Sequence, residues 1–267
     1  MSTNASGRSL VALTTDFGLD DPYVGVMKAV ILARAPHVTI VDVTHGVPAQ
    51  DVEVGAFFLA RAVPYFPPAT VHVAVVDPGV GSSRRLLAAE AHGQSFLAPD
   101  NGLLSGVLDR GSLVFELDVE RCALPERSHT FHGRDILAPA AAAIANGIAL
   151  SELCSGRVHD WVKLTPEPLT CSSDGRSIAA RVLFVDRYGN VVLNASSTDL
   201  GDEPERWMAV FPAESVAFAH TYAQVPSGGA LLLVDSFDAL EIAVNGGDAS
   251  IRFRLARGAR VTLEKRT

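Results

Sequence analysis

Apolar residues are distributed along this chain in two textures. In the first, near-continuous apolar runs of strand length alternate with segments of helical period. "LVALTT" (10–15), "VTIVDVT" (38–44) and "VHVAVVD" (71–77) read as buried strands. Between them, the segment from Asp21-Pro22 to Ala35 predicts a helix with Asp21 as N-cap and proline in the first turn. "DVEVGAFFLARAV" predicts a second helix capped by Asp51. Shorter runs at "LLAAEA", "SFLAP" and "LVFEL" read as further strands, and an Ala-rich helix is expected from about Asp135 to Ala149. Strands alternating with helices imply an α/β fold with a mostly parallel sheet covered on both faces.

From about Cys171 the texture changes to short alternating runs, among them "SIAARVLFV", "ALLLV", "LEIAV" and "RVTLEK", with little room for helices. "DRYGN" between two such runs predicts a hairpin, with Gly189 and Asn190 able to take positive φ. The Pro- and Ser-rich stretch "VKLTPEPLTCSSDG" marks the join. The expectation is an N-terminal α/β domain over residues 1–165 and a smaller C-terminal antiparallel barrel or sandwich over 175–267.

Composition narrows the partners. The formal net charge of the 267 residues is −8, and no basic run is longer than Arg84-Arg85 or Lys265-Arg266. Binding a phosphate backbone needs a concentrated positive face, so no nucleic-acid partner is expected. Cys122, Cys154 and Cys171 form no CxxC pair, which fits a reducing compartment and gives no zinc site. No apolar stretch reaches the length of a membrane span, and the N-terminal "MSTNASGRS" lacks a signal-peptide core, so the expected location is cytoplasmic.

The candidate chemistry sits where strands end. In open α/β sheets, ligands bind outside the carboxyl ends of the strands. Asp16 follows the first strand, with Asp20 and Asp21 close behind. Asp21 has a structural explanation as a cap; Asp16 does not, and a carboxylate there suits the two hydroxyls of a ribose. "VVDPGVGSSRR" sets Asp77 at a strand end with Arg84 seven residues on. "FHGRDILAP" places His132, Arg134 and Asp135 before the Ala-rich helix, with Asp135 read as its N-cap and Arg134 as an ion-pair partner. His132 and His45 each read equally as structural histidines. A hard cation on Asp16, Asp20, Asp21 and His45 is only weakly signalled, since no metal-ligand spacing is present, and no metal is expected.

Taken in order, "TTDFGLDDPYVGVMKAVI", "VDVTHGVPAQDVEVGAFFL", "VVDPGVGSSRR", "APDNGLLS", "FHGRDILAPAAA", "VDRYGNVVLN" and "DSFDALEIAVNGGDAS" resemble the S-adenosyl-L-methionine (SAM) hydroxide adenosyltransferases, relatives of the fluorinase and chlorinase. The resemblance covers nearly the whole chain. It implies an enzyme that hydrolyses SAM to adenosine and methionine by attack of water at the ribose C5′. SAM is the substrate, and no cofactor is implied. By the same resemblance Asp16 holds the ribose hydroxyls, Asp21 the methionine ammonium, and Ser236 lies near the methionine carboxylate. Asn190 reads the adenine edge, with Asp186 opening the same motif. Tyr222 lies beside adenine and Phe131 beside the ribose. Asp77, Arg84 and His132 match the set that positions and activates water. Relatives of this kind form homotrimers with sites shared between subunits.

Position 77 separates the branches of the family, because the halogenases carry tyrosine there and lack the matching histidine. The span between Arg85 and Phe96 is also too short for the fluorinase insertion. Gln50 stands where the fluorinase has a tryptophan, and Asp238 where relatives usually have glycine. Three other readings stand beside the hydrolase: a chlorinase-like halogenase, a non-catalytic SAM- or adenosine-binding protein, and a nucleoside hydrolase. The last would share the "TTDFGLDD" opening but lacks its first acid, replaced here by Thr14.

Overall fold

The structure is a computed structural model that describes residues 9–266; the polar segment read above for a signal peptide lies mostly outside them. The chain divides into two compact units, Met1–Thr165 and Pro166–Thr267.

The first unit is built on a seven-stranded sheet. Its strands are β1 (Leu10–Thr15), β2 (Thr39–Thr44), β3 (Val71–Val75), β4 (Leu86–Ala91), β5 (Gln94–Pro99), β6 (Leu113–Leu117) and β7 (Cys154–Arg157), in the order β2-β1-β3-β5-β4-β6-β7. The pairings from β2 to β5 are parallel, and those from β5 to β7 are antiparallel. The helices are α1 (Tyr23–Arg34), α2 (Val52–Ala62), the one-turn α3 (Val119–Cys122) and α4 (Ala138–Ala145). Met27 and Ile31 of α1 and the alanines of α4 pack with Val11, Leu13, Val73 and Val75 in one core. The apolar runs of β1 and β3 follow from this, since both strands are covered and buried almost throughout. β2 differs from expectation: it is the sheet's edge and is only half-buried. A run of branched residues does not by itself tell a central strand from an edge one.

Two helix starts also differ. Pro22, not Asp21, is the N-cap of α1, and no side chain caps it. Asp135 is not the N-cap of the Ala-rich helix. It lies inside a wide π-type turn, Gly133–Leu137, that leads into α4, and that helix ends at Ala145. By contrast, Asp51 caps α2 as its position predicts, its Oδ1 accepting the Val54 N–H at 3.1 Å.

The second unit is antiparallel. Its strands are β8 (Thr170–Cys171), β9 (Ser177–Val185), β10 (Val191–Ser196), β11 (Trp207–Val210), β12 (Ser215–Ala217), β13 (Ala230–Val234), β14 (Ala239–Val244) and β15 (Arg260–Lys265). The order β12-β11-β15-β9-β10-β14-β13, with a bridge from Phe218 to Leu232, makes a nearly closed barrel. β8 pairs with β9, so the segment after Thr165 belongs to this unit. Short helices α5 (Ser197–Leu200) and α6 (Ala249–Phe253) flank it. Alternate residues such as Ile178, Ala180 and Val182, or Val191 and Leu193, fill the interior. In the predicted hairpin Gly189 takes φ +83°, whereas Asn190 does not enter the left-handed region.

Candidate active site

A cleft of about 360 Å³ opens at the carboxyl ends of β1 and β3, with Asp16, Gln50, Asp77, Phe131 and His132 on its walls. Asp16 leaves β1 at a turn closed by the Gly18 N–H, which donates to the His45 carbonyl at 2.8 Å. The buried His45 ring fixes the same turn, its Nδ1 lying 2.8 Å from Thr15 Oγ1 and its Nε2 3.1 Å from Asp42. His45 is therefore structural. One oxygen of Asp16 accepts the Gln50 N–H at 2.7 Å, and Gln50 reaches it by adopting φ +64°. A carboxylate oxygen has room for a further donor, so Asp16 is aimed but not saturated.

Asp77 ends the run after β3, and the loop behind it folds back so that Arg84 clamps it. Arg84 Nε donates to Asp77 Oδ1 at 2.7 Å, and Nη2 donates to Oδ2. This fork is nearly dry, with the Arg84 and Asp77 side chains 10% and 6% exposed. The same Nη2 lies 3.0 Å from His132 Nδ1. A guanidinium only donates, so Nδ1 is the unprotonated nitrogen and the ring carries its proton on Nε2. Burial, and after it the Arg84 charge, hold the His132 pKa below its ordinary value, which favours the neutral ring. The loop bearing Arg84 lies against the loop bearing His132: a Cβ on Gly81, at φ +81°, would stand 2.8 Å from the His129 carbonyl oxygen.

Asp135 holds the far side of this arrangement. Fully buried, it pairs with Arg134 at 2.6 Å and accepts the Ser128 N–H at 2.7 Å. Burial alone would raise its pKa, but Arg134 and the Ser128 N–H outweigh it, and the net shift is downward. Arg134 is thus the ion-pair partner expected, while Asp135 clamps the 128–135 loop. Phe17, Tyr23 and Phe131 form an aromatic cluster at the cleft, with ring centroids 5.2–5.7 Å apart. Asp20 and Asp21 are exposed, and among the described residues neither side chain has a hydrogen-bond or ion-pair partner. Among the described residues no cluster of three or more potential metal ligands is present.

The second unit carries its own cleft, about 630 Å³, bordered by Tyr188, Asn190, Tyr222 and Asp248. Asp186 organises its floor: Oδ1 accepts the N–H groups of Tyr188 and Asn190 at 2.8 Å, and Oδ2 accepts Asn190 Nδ2 at 3.0 Å. Tyr222 donates its hydroxyl to Glu241 Oε1 at 2.6 Å and stands 3.3 Å from Asn190 Nδ2. Ser236 is exposed in the β13–β14 turn, apart from the residues that border this cleft.

The fold therefore gathers Asp16, Asp77, Arg84, Phe131 and His132 in one unit and Asp186, Asn190 and Tyr222 in the other, and leaves Asp21 and Ser236 separate and exposed. Glu241 was not singled out from the sequence, and Gln50 was, but not for the group through which it takes part. The backbone N–H of Gln50 has no sequence signal. Glu241 had one: it is the single acid in the otherwise apolar strand "ALEIAV".

Sequence comparison places the chain in a known family. Residues 11–154 match the SAM hydroxide adenosyltransferase N-terminal domain and residues 180–262 match its C-terminal domain, so the chain belongs to that family. Among named relatives, the (R)-S-adenosyl-L-methionine hydrolase of Salinispora arenicola is 41% identical over 90% of this chain and 92% of its own length. The fluorinase of Actinoplanes sp. is more distant, 28% identical over 73% of this chain and 74% of its own. The crystal structure of an uncharacterized conserved protein from Thermotoga maritima superimposes with a TM-score of 0.84 at 33% identity, covering 96% of this chain and all of that one.

Proposed function

We propose that this protein hydrolyses S-adenosyl-L-methionine to adenosine and L-methionine by attack of water at the ribose C5′. The observation that carries the reading is the nearly dry Asp77–Arg84 fork with His132 against it, Asp77 and His132 lining the same cleft as Asp16. A halogenase has no use for a carboxylate at the position of its incoming anion.

In this reading Asp16 takes the ribose hydroxyls. Asn190, Asp186 and Tyr222 hold adenine, Phe131 packs by the sugar, and Asp21 and Ser236 meet the amino-acid end. The new bond joins the water oxygen to C5′, the C5′–S bond breaks, and its electron pair stays on sulfur. The leaving group is a neutral thioether and needs no acid. Asp77 receives the water proton, since its oxygens keep lone pairs beyond those given to Arg84. Arg84 stabilises the developing hydroxide, and the Nε2–H of His132 orients the water. General-base help of this kind is worth about 10²–10⁴-fold, with in-line positioning adding to it. Attack on a sulfonium neutralises charge, so the dry fork favours it.

The reaction balances with water alone, and we assign it no cofactor and no metal. The net charge of −8 suits a cationic ligand and not a nucleic acid. Cytoplasmic location is supported by three free cysteines, and no helix of the described residues is long and apolar enough to cross a membrane. Because the water-side and adenine-side residues fall in different units, the assembly we propose is a homotrimer with each site shared between neighbouring subunits.

The relatives' name specifies the (R) sulfonium epimer, which we extend to this chain. Incubation with SAM of defined epimer composition in ¹⁸O-water and excess chloride tests both points. Adenosine bearing one ¹⁸O, with loss of the (R) epimer first, is expected. A chlorinated nucleoside would assign a halogenase. SAM or adenosine bound without turnover would leave a binding protein.

A further inference from the structure

The second cleft holds a buried acid that the proposed chemistry does not use. Glu241 lies on β14 between Val192 of β10 and Leu233 of β13, and is 5% exposed. An acid is rarely retained in such a strand without a partner, because an ionised carboxylate is costly to bury. Its recorded hydrogen-bond partner is the Tyr222 hydroxyl, at 2.6 Å, and Tyr222 borders the cleft with Asn190.

The hydrogen-bond polarity can be followed atom by atom. Asp186 Oδ2 accepts from the Asn190 side chain at 3.0 Å, so the atom facing it is the amide nitrogen, Nδ2. The second hydrogen of Nδ2 points to Tyr222 Oη at 3.3 Å. That oxygen can accept it only while its own hydrogen points elsewhere, and Glu241 is where it points. The amide oxygen of Asn190 is then left as an acceptor for a ligand. Without an acceptor at position 241, the Tyr222 hydroxyl would turn from the donating Asn190 nitrogen and present its hydrogen to the cleft.

We propose that Glu241 is a specificity-determining positioning residue: by accepting the Tyr222 hydroxyl it keeps the donor turned away from the bound base, so that the cleft takes a purine with an exocyclic amino group and rejects one with a carbonyl in its place. This rests on the reading of the second cleft as the adenine site. A carbonyl there would face the Asn190 oxygen, acceptor against acceptor, and sites built to pair a donor discriminate strongly against its loss.

The surroundings favour the uncharged acid, and the arrangement survives its protonation. Burial, and after it the charges of Asp186 and Asp235, push the Glu241 carboxyl up to about 7, against the pull of the Tyr222 hydroxyl. These are the titratable groups facing it from the β9–β10 turn, the β13–β14 turn and the 222–224 turn. Below that pH the acid carries a proton on one oxygen, and the other oxygen still accepts the Tyr222 hydroxyl, as a glutamine amide oxygen would.

The test is calorimetric binding of adenosine and inosine to the full-length protein and to Glu241→Met and Glu241→Gln. Methionine matches the shape without an acceptor, whereas the glutamine oxygen still accepts a hydroxyl. Glu241→Met is expected to reduce the adenosine-over-inosine preference about tenfold, with Glu241→Gln retaining it. The wild-type preference, like that of Glu241→Gln, is expected to stay flat between pH 8 and 6, because each form keeps an acceptor oxygen. In a Tyr222→Phe background, Glu241→Met should have no further effect on the ratio. An unchanged ratio in Glu241→Met, or equal loss in Glu241→Gln, would overturn the role of Glu241 while leaving the adenine site standing. Failure of the wild type to bind adenosine would overturn the adenine site itself, and the inference with it.

Discussion

At His132 one contact sets a protonation state. The Arg84 hydrogen bond occupies Nδ1, and the Arg84 charge opposes a second positive charge beside it. Protonating the ring would break that contact, so turnover should decline as pH falls through the group's lowered pKa and be indifferent to it above. The acid limb of kcat/KM is therefore expected below the ordinary histidine value of 6.5, and a limb centred at or above 6.5 would contradict the tautomer assigned here. His132→Ala with unchanged turnover would remove that residue from the mechanism. Two other residues hold left-handed backbone although they carry side chains. Asp238 takes φ +62°, and Asp235 accepts the flanking Phe237 and Ala239 N–H groups at 2.7 and 2.8 Å. Short polar side chains tolerate the left-handed region better than most. Gln50 does the same at φ +64° and contributes its N–H, a backbone donor that side-chain identity does not reveal.

The β9–β10 hairpin shows how an element builds a site. Asp186 closes it, Gly189 turns it and Asn190 re-enters the sheet: the Asn190 carbonyl accepts the Asp186 N–H, its N–H donates to Asp186 Oδ1, and its side-chain amide donates to Asp186 Oδ2. Gly189 has a second constraint. A Cβ there would collide with the Asp248 carboxylate, which caps α6 by accepting the Ile251 N–H at 2.9 Å. Gly189→Ala is thus expected to cost about 2–3 kcal/mol and to weaken adenosine binding, because both walls of the cleft must move. Gly175, at φ +67° with nothing within 4 Å, is the control. Gly175→Ala bears only the backbone strain, about 1 kcal/mol, and should leave binding intact. Urea unfolding with a binding isotherm distinguishes the two, and equal costs would rule out the contact with Asp248.

At the scale of the whole molecule, the residues of the two clefts fall in two units, each with its own core. If neighbouring subunits share each site, a chain carrying Asp77→Asn and a chain carrying Asn190→Ala are each inactive alone. Co-expressed, they should regain turnover, since some mixed sites combine the intact half of each. No recovery in a verified mixed assembly would place each site within one chain.

The sequence by itself determined the elements that repeat a local rule. Apolar run length gave the strands, alternation gave the interior of the barrel, Asp51 gave its cap, and the ordered motifs gave the family. Tertiary structure decided what depends on neighbours distant in the chain. It put β2 at an edge, gave Asp135 to the 128–135 loop instead of a helix start, and bent the Arg84 loop until its guanidinium reached both Asp77 and His132. Glu241 is the clearest case. A lone acid in an apolar strand is visible in the sequence, but its purpose is set by a tyrosine hydroxyl 19 positions away that only the fold brings within 2.6 Å, because hydrogen-bond polarity belongs to a pair of groups and not to a residue.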